Sequence, residues 1–204
     1  MINLHLGDSL AAMRAMDDNA YDLAIVDPPY GLGNKTYGGK DPKKTRNSQT
    51  KFAAHDWDNE IPPPEYFEQL RRISRNQIIW GGNYFDLPPT RCVIAWDKVQ
   101  PWENMSQIEL AWTSYSKPAK LWRFDNRYSG KIHPTQKPVQ MYQWLLDTFA
   151  NEGDRIIDTH LGSGSIAIAC YNAGYALDAW EIDPEYHANA VARYTAHARQ
   201  LKLF

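Results

Sequence analysis

Two adjacent prolines close the apolar run Leu23-Ala24-Ile25-Val26, and they constrain the fold more than any other local feature of the chain. Proline lacks an N–H for a sheet ladder and fixes its own φ, so a buried strand has to end at Asp27-Pro28-Pro29-Tyr30. Gly31-Leu32-Gly33 then lead the chain away. The strand tip presents a carboxylate, a rigid turn and an aromatic face. A planar amine would find an acceptor in Asp27 and a stacking surface in Tyr30, while Pro28 and Pro29 offer no competing donor. Taken alone, the four residues fit an ordinary proline turn equally well, because Asp-Pro is a common turn dipeptide.

Composition sets the outer bounds. A chain of 204 residues, 43% hydrophobic and 23% charged, suits a single well-buried domain over 1–204. No basic segment followed by an apolar stretch opens the sequence, and no apolar run reaches membrane-span length, so a cytoplasmic protein without membrane contact is expected. Cys92 and Cys170 each sit in apolar surroundings and read as small core residues. The six histidines are scattered, and no metal site is expected.

The net charge of −2 is unevenly spread. Lys35, Lys40, Lys43, Lys44, Arg46 and Lys51 face only Asp41 in their segment, and Lys117, Lys120, Arg123, Arg127 and Lys131 face only Asp125 in theirs. Solvated loops are the simplest account of such runs. However, Tyr37, Phe52, Trp57, Tyr115, Trp122 and Tyr128 lie among or beside the cations, an arrangement that suits phosphates and splayed bases. Lys43, Lys44 and Arg46 are the candidate phosphate contacts.

β-rich runs alternate with helical periodicity from end to end, which predicts an α/β fold with a mostly parallel sheet and helices on both faces. Strands are expected near 2–6, 22–27, 77–80, 92–97, 107–113, 155–159 and 175–181, and helices near 9–16, 63–75, 138–150, 165–173 and 184–200. In the clearest helix Pro138 suits the first position and Val139, Tyr142, Leu145, Leu146 and Phe149 form the apolar stripe. The polar stretch 31–60 is long for a loop, which beside a strand-end site reads as a mobile substrate-gripping segment. Residues 98–131 read as a hairpin and a second candidate recognition segment.

Arg155 to Ala167 spell a strand, a glycine-rich turn and the start of a helix, with Asp158 near the strand end and Gly162, Ser163 and Gly164 in the turn. The next strand ends in Glu181, placed to accept ribose hydroxyls. Gly162-x-Gly164-x-x-Ala167 satisfies the dinucleotide fingerprint, so this half implies an adenosine-containing cofactor without separating a nicotinamide nucleotide from S-adenosylmethionine. The other half separates them. An open α/β sheet binds ligands beyond the carboxyl ends of adjacent strands, and Asp-Pro-Pro-Tyr beside a nucleoside cofactor suits activation of an amine rather than hydride transfer.

These motifs together resemble those of S-adenosylmethionine-dependent DNA amino-methyltransferases of the permuted β group, in which the catalytic motif precedes the cofactor motif. Gly7-Asp8-Ser9, Asp27-Pro28-Pro29-Tyr30, His133-Pro134-Thr135-Gln136-Lys137-Pro138 and Asp158-x-x-x-Gly162-x-Gly164 carry the resemblance across nearly the whole chain. It implies a seven-stranded Rossmann-like sheet in permuted order with one antiparallel strand. It also implies that Asp27 and the Pro28 carbonyl accept the amino hydrogens of a flipped base, normally adenine for an Asp-Pro-Pro-Tyr tetrapeptide, with cytosine N4 as the alternative. Asp8, Thr135, Lys137, Asp158, His160, Gly162, Ser163, Gly164 and Glu181 become the expected cofactor residues, with Asp183 in reserve. For Asp8 and Asp183, capping of the following helices competes with that role.

Where such enzymes usually have Asp-Pro-Phe, this chain has Asp158-Thr159-His160, which either transfers an aromatic cofactor contact to an imidazole, with pH-dependent binding, or leaves His160 as a simply tolerated loop residue. Asn83, in Trp80-Gly81-Gly82-Asn83-Tyr84, is a further candidate for base contact, against a plain turn role. Methylation at carbon 5 would need a thiolate, and neither cysteine lies near the base site. An RNA or protein methyltransferase normally places its cofactor loop first, and a silent nucleic-acid-binding subunit would have little use for intact Asp27, Tyr30, Gly162 and Gly164. The resemblance points to a phage or bacterial setting, including restriction-modification. The short segments left for base readout suggest relaxed specificity, a homodimer or a second recognition subunit.

Overall fold

Strand β2 (Tyr21–Val26) is buried at five of its six residues, and the sheet is built outwards from it on both sides. The structure, a computed structural model, describes residues 1–32, 60–101, 106–125 and 136–200. Among them the sheet runs β1 (Ile2–Leu6), β8 (Ala176–Glu181), β7 (Arg155–Asp158), β2, β3 (Ser74–Trp80), β5 (Ile108–Thr113), β4 (Ile94–Asp97) and β6 (Lys120–Arg123). The pairings from β1 through β3 are parallel, β5 runs against both β3 and β4, and β6 lies parallel to β4. One strand is therefore reversed against seven.

Alternation along the central strands divides the core into two layers. Leu23 and Ile25, with Ile78, Trp80 and Ile156, pack under α3 (Val139–Phe149), α4 (Ser165–Ala173) and α5 (Pro184–Arg199). Ala24 and Val26, with Ile79 and Ile157, face α1 (Ser9–Arg14) and α2 (Pro64–Ile73). A strand buried on both faces has to read as a continuous apolar run, which is why Leu23 to Val26 gave no alternation.

This is the Rossmann-like α/β sheet expected, with an eighth strand. Lys120–Arg123 escapes sequence reading because a four-residue edge strand with charged ends leaves only Trp122 as a partly covered apolar side chain, with Leu121 exposed. The helices fall within the expected spans. Pro138 stands just before α3, as an extended N-cap residue, so the helix begins at Val139. Cys92 and Cys170 are both free and buried, as core residues should be. No helix among the described residues is long and apolar enough to cross a membrane.

The two-layer core carries a direct stability expectation. Ile78→Ala, at a fully buried central position, should cost about 2–5 kcal/mol in urea unfolding, whereas Leu121→Ala, 68% exposed on the edge strand, should stay within about 0.5 kcal/mol.

Candidate active site

Parallel pairing sets three carboxylates along one edge of the sheet. Asp27 follows the last residue of β2, Asp158 ends β7 and Glu181 ends β8, three strands that are neighbours in the order given. Asp158 is 1% exposed and accepts the His160 backbone N–H at 2.9 Å. Burial pushes its carboxyl up to about 8 despite that bond, and the charges of Asp27 and Glu181 push the same way. Glu181 is also raised by burial, although its Oε2 accepts from the Gly162 N–H at 2.8 Å and its Oε1 from the Asp183 N–H at 3.0 Å. The Gly162 bond ties the glycine turn after β7 to the tip of β8, and the Asp183 bond closes the turn into α5.

Asp27 has partners on both oxygens. Oδ1 accepts the Tyr30 hydroxyl at 2.6 Å, and Oδ2 is held by the Lys137 ammonium. Lys137, expected at a cofactor, is instead enclosed with a side chain only 3% exposed, 3.3 Å from Glu109 Oε2 and 5.2 Å from the centre of the Trp80 ring. Lys98 holds the other Glu109 oxygen at 2.5 Å. Burial alone would pull Lys137 down, but Asp27 and Glu109 outweigh it and raise the ammonium above its ordinary value. Burial likewise pushes Glu109 up, and the Lys137 and Lys98 charges more than reverse this.

The Tyr30 ring is stacked against Tyr84 with centroids 4.9 Å apart and planes at 16°. Gly81 presses on Tyr30 so closely that a Cβ there would lie 2.2 Å from ring Cε1, and its φ of +70° is one that glycine alone adopts freely. Tyr84 is 43% exposed, so the outward aromatic surface of the pair is Tyr84, with Tyr30 behind it. Burial, then the Asp27 charge, hold the Tyr30 hydroxyl well above the usual phenol range and keep it a donor.

The remaining expected residues separate by what they touch. Asp8 caps α1 through the Leu10 N–H at 2.8 Å, and Asp183 caps α5 through Glu185 and Tyr186, so both fill the capping role weighed for them. Gly164 gives the chain its approach to α5, since a Cβ there would sit 3.1 Å from that of Ala190. The Ser163 hydroxyl pairs with Ser165 and its carbonyl accepts from Arg193. Asn83 is exposed on a short 3-10 turn, Gly82–Tyr84. Thr135, Lys43, Lys44 and Arg46 lie outside the described residues, as do most of 31–60 and part of 98–131.

His160 corrects one expectation. Burial lowers its imidazole to about 4, with only partial compensation from Asp8, so the ring is neutral throughout the physiological range. It does not supply the pH dependence near neutrality that its pKa in water suggests. Its Nδ1 lies 2.9 Å from the Thr159 hydroxyl, which in turn lies 2.5 Å from the buried Tyr66 hydroxyl. The two departures from Asp-Pro-Phe thus form one hydrogen-bonded unit with α2.

Lys98, Glu109 and Tyr84 were not among the expected residues. Glu109 did carry a signal, because it is the one charge within Ile108-Glu109-Leu110-Ala111-Trp112-Thr113 and shares a face with buried Ala111 and Thr113. Lys98 carried none that distinguishes it from a surface lysine.

The chain is similar to known proteins over this whole arrangement. A family model described as DNA methylase, for N6 and N4 enzymes, matches residues 79–192. The chain belongs to the N6/N4 DNA methylase family. This methylase is 25% identical over 223 residues to the type II methyltransferase M.HpaI of Haemophilus parainfluenzae, covering 88% of its own length and 69% of the relative. Among solved structures, an M1.HpyAVI–SAM complex superposes with a TM-score of 0.62 at 17% identity, over 95% of this chain and 100% of the other. The cytosine-N4-specific PvuII DNA methyltransferase gives 0.63 at 14% identity, over 100% and 88%.

The raised Asp158 makes a pH prediction. Folded Asp158 keeps its proton to about 8, while an unfolded aspartate ionises near ~4, so the folded state binds the extra proton in between and loses stability as pH rises. His160, held at about 4 in the fold, contributes the opposite slope only below its unfolded value of ~6.5. Thermal unfolding of the ligand-free methylase should therefore move down between roughly pH 6.5 and 8 and flatten in Asp158→Asn. A wild-type profile as flat as the variant's contradicts the assignment.

Proposed function

We propose that this methylase transfers the methyl group of S-adenosylmethionine to the exocyclic N6 amine of adenine in DNA, with the base turned out of the duplex. The observation that carries the reading is the adjacency of Asp27 and Asp158 at the ends of paired parallel strands, joined through Leu23 and Ile156 and through Ala24 and Ile157. An amine acceptor and a cofactor turn thereby share one edge. S-adenosylmethionine fits the charge of the site, because Asp158 and Glu181 are buried carboxylates raised by enclosure, and a cationic ligand relieves both. When bound, it supplies an electrophilic methyl on a sulfonium.

The chain's own residues do the rest. Asp158, Gly162 and Glu181 would hold the cofactor. An exocyclic amine is a weak nucleophile because its lone pair is delocalised into the ring. Asp27 and the Pro28 carbonyl accept its two hydrogens, which draws the nitrogen towards tetrahedral geometry and turns the lone pair outward. Rigid alignment of this kind corresponds to effective molarities of ~10⁵–10⁸ M. Tyr84 and Tyr30 provide the aromatic wall on which the flipped base stacks, offsetting a flipping cost of roughly a few kcal/mol. Lys43, Lys44 and Arg46 would take phosphates. Asp at the first position of the tetrapeptide favours adenine, and cytosine N4 is the competing target within the same family.

Transfer of labelled methyl to unmethylated DNA, followed by nucleoside analysis, tests the reading. N6-methyladenine is expected, with a loss of about 10²–10⁴-fold in Asp27→Ala; N4-methylcytosine moves the target to the other base, and undiminished Asp27→Ala activity defeats the mechanism. A second measurement addresses the cofactor. Binding of a cation beside Asp158 should release its proton near neutral pH, so calorimetric enthalpies should vary with the ionisation enthalpy of the buffer, and should stop varying in Asp158→Asn.

A further inference from the structure

Each carboxylate oxygen of Asp27 already carries one partner, Tyr30 on Oδ1 and Lys137 on Oδ2, so an incoming amine has to share or displace one of them. The Tyr30 partner is fixed by its stacking on Tyr84 and by the pressure of Gly81. Lys137 is the partner able to move. Its side chain is only 3% exposed, so leaving Asp27 without another anion would strand a buried charge. Glu109 Oε2 lies 3.3 Å away, buried, within ion-pair contact, and without a hydrogen-bond partner among the described residues. That oxygen is an acceptor standing ready.

We propose that Glu109 is a positioning residue for methyl transfer, the second station to which the Lys137 ammonium shifts when Asp27 takes the amino group of the base. This rests on the amine chemistry proposed for Asp27. The surroundings of Glu109 suit it to receive a cation, because its backbone is fixed by pairing with Trp96 and its Oε1 is clamped at 2.5 Å by Lys98, which leaves Oε2 to Lys137. Lys137 lies over the Trp80 ring, whose electron-rich face attends the ammonium beside both carboxylates. Lys98, Glu109, Lys137 and Asp27 alternate in sign and sum to zero wherever the ammonium sits, so the shift needs no proton transfer. It gives up the contact to Asp27 Oδ2 and tightens the existing ion pair to Glu109 Oε2, while the base amine fills the place vacated.

Glu109→Gln keeps the shape and removes the charge of the second station. Its kcat should fall about 10- to 100-fold, the scale of one charge-assisted contact made only in the transition state, with KM for DNA and cofactor affinity changed less than about twofold. Its kcat should also climb with pH where the wild type is flat, because deprotonated Lys137 releases Asp27 without a second anion. In a Lys137→Met background the Glu109→Gln penalty should vanish, as no ammonium is left to receive. A kcat within twofold of wild type, a loss confined to KM, or an equal penalty in both backgrounds overturns the proposal. Thermal unfolding establishes that each variant is folded, and Glu109→Asp, which retains the charge, should recover part of the rate.

One readout does not need activity. The Lys137 side-chain nitrogen, followed by ¹⁵N resonance during a pH titration, should lose its ammonium proton at lower pH in Glu109→Gln than in the wild type. An unchanged titration overturns the second station. If the wild type transfers no methyl to a DNA amine, the functional reading fails and this titration still decides whether Glu109 holds Lys137.

Discussion

Crowding of negative charge at the carboxyl edge of a parallel sheet is the constraint around which this molecule is arranged. Strand direction alone brings Asp27, Asp158 and Glu181 together, and nothing in the sheet itself neutralises them. Each carboxylate meets the problem differently. Asp27 takes an ammonium and a phenol, Asp158 retains a proton, and Glu181 commits its oxygens to the backbone of the turns beside it. The three solutions leave distinct capacities: an acceptor held in place by its partners, a site that welcomes positive charge, and a fixed support for the glycine turn.

The aromatic side of the site follows from how closely backbone and ring can approach. Gly81 lets the end of β3 press on Tyr30, and Gly82, whose added Cβ would lie 2.5 Å from that of Trp112, does the same on the neighbouring strand. With Tyr30 held in this way, its hydroxyl stays on Asp27 and its ring backs Tyr84. Acceptor and stacking surface are therefore set by one contact, and the carboxylate cannot be reoriented without disturbing the wall on which a base would lie.

Much of this was legible in the sequence, and what was not has identifiable causes. Periodicity gave the two-layer sheet because buried strands and amphipathic helices leave local traces, as in Leu23 to Val26 and in the stripe of Val139 to Phe149. Asp27 and Asp158 were legible because strand ends and glycine turns are local too. The partners of Asp27 were not. Lys137 is separated from it by 110 positions, and its motif suggested a cofactor contact rather than an ion pair. Glu109 reaches it only through the order of strands, which no local pattern encodes. His160 misled in the opposite direction, since its chemistry in water is overruled by desolvation in the fold.

The single reversed strand has a further consequence. Seven strands can offer the site only the residues with which they finish, but β5 offers residues with which it starts, and Glu109 is the second of them. Its placement is a matter of register. Side chains alternate faces along a strand, so sliding β5 by one residue against β3 and β4 would turn Glu109 away from Lys137 and bring Ile108 or Leu110 to the buried ammonium. The stretch joining Asp97 to Ile108 enters β5 one residue before Glu109, so the register it delivers is held by the charge balance among Lys98, Glu109, Lys137 and Asp27.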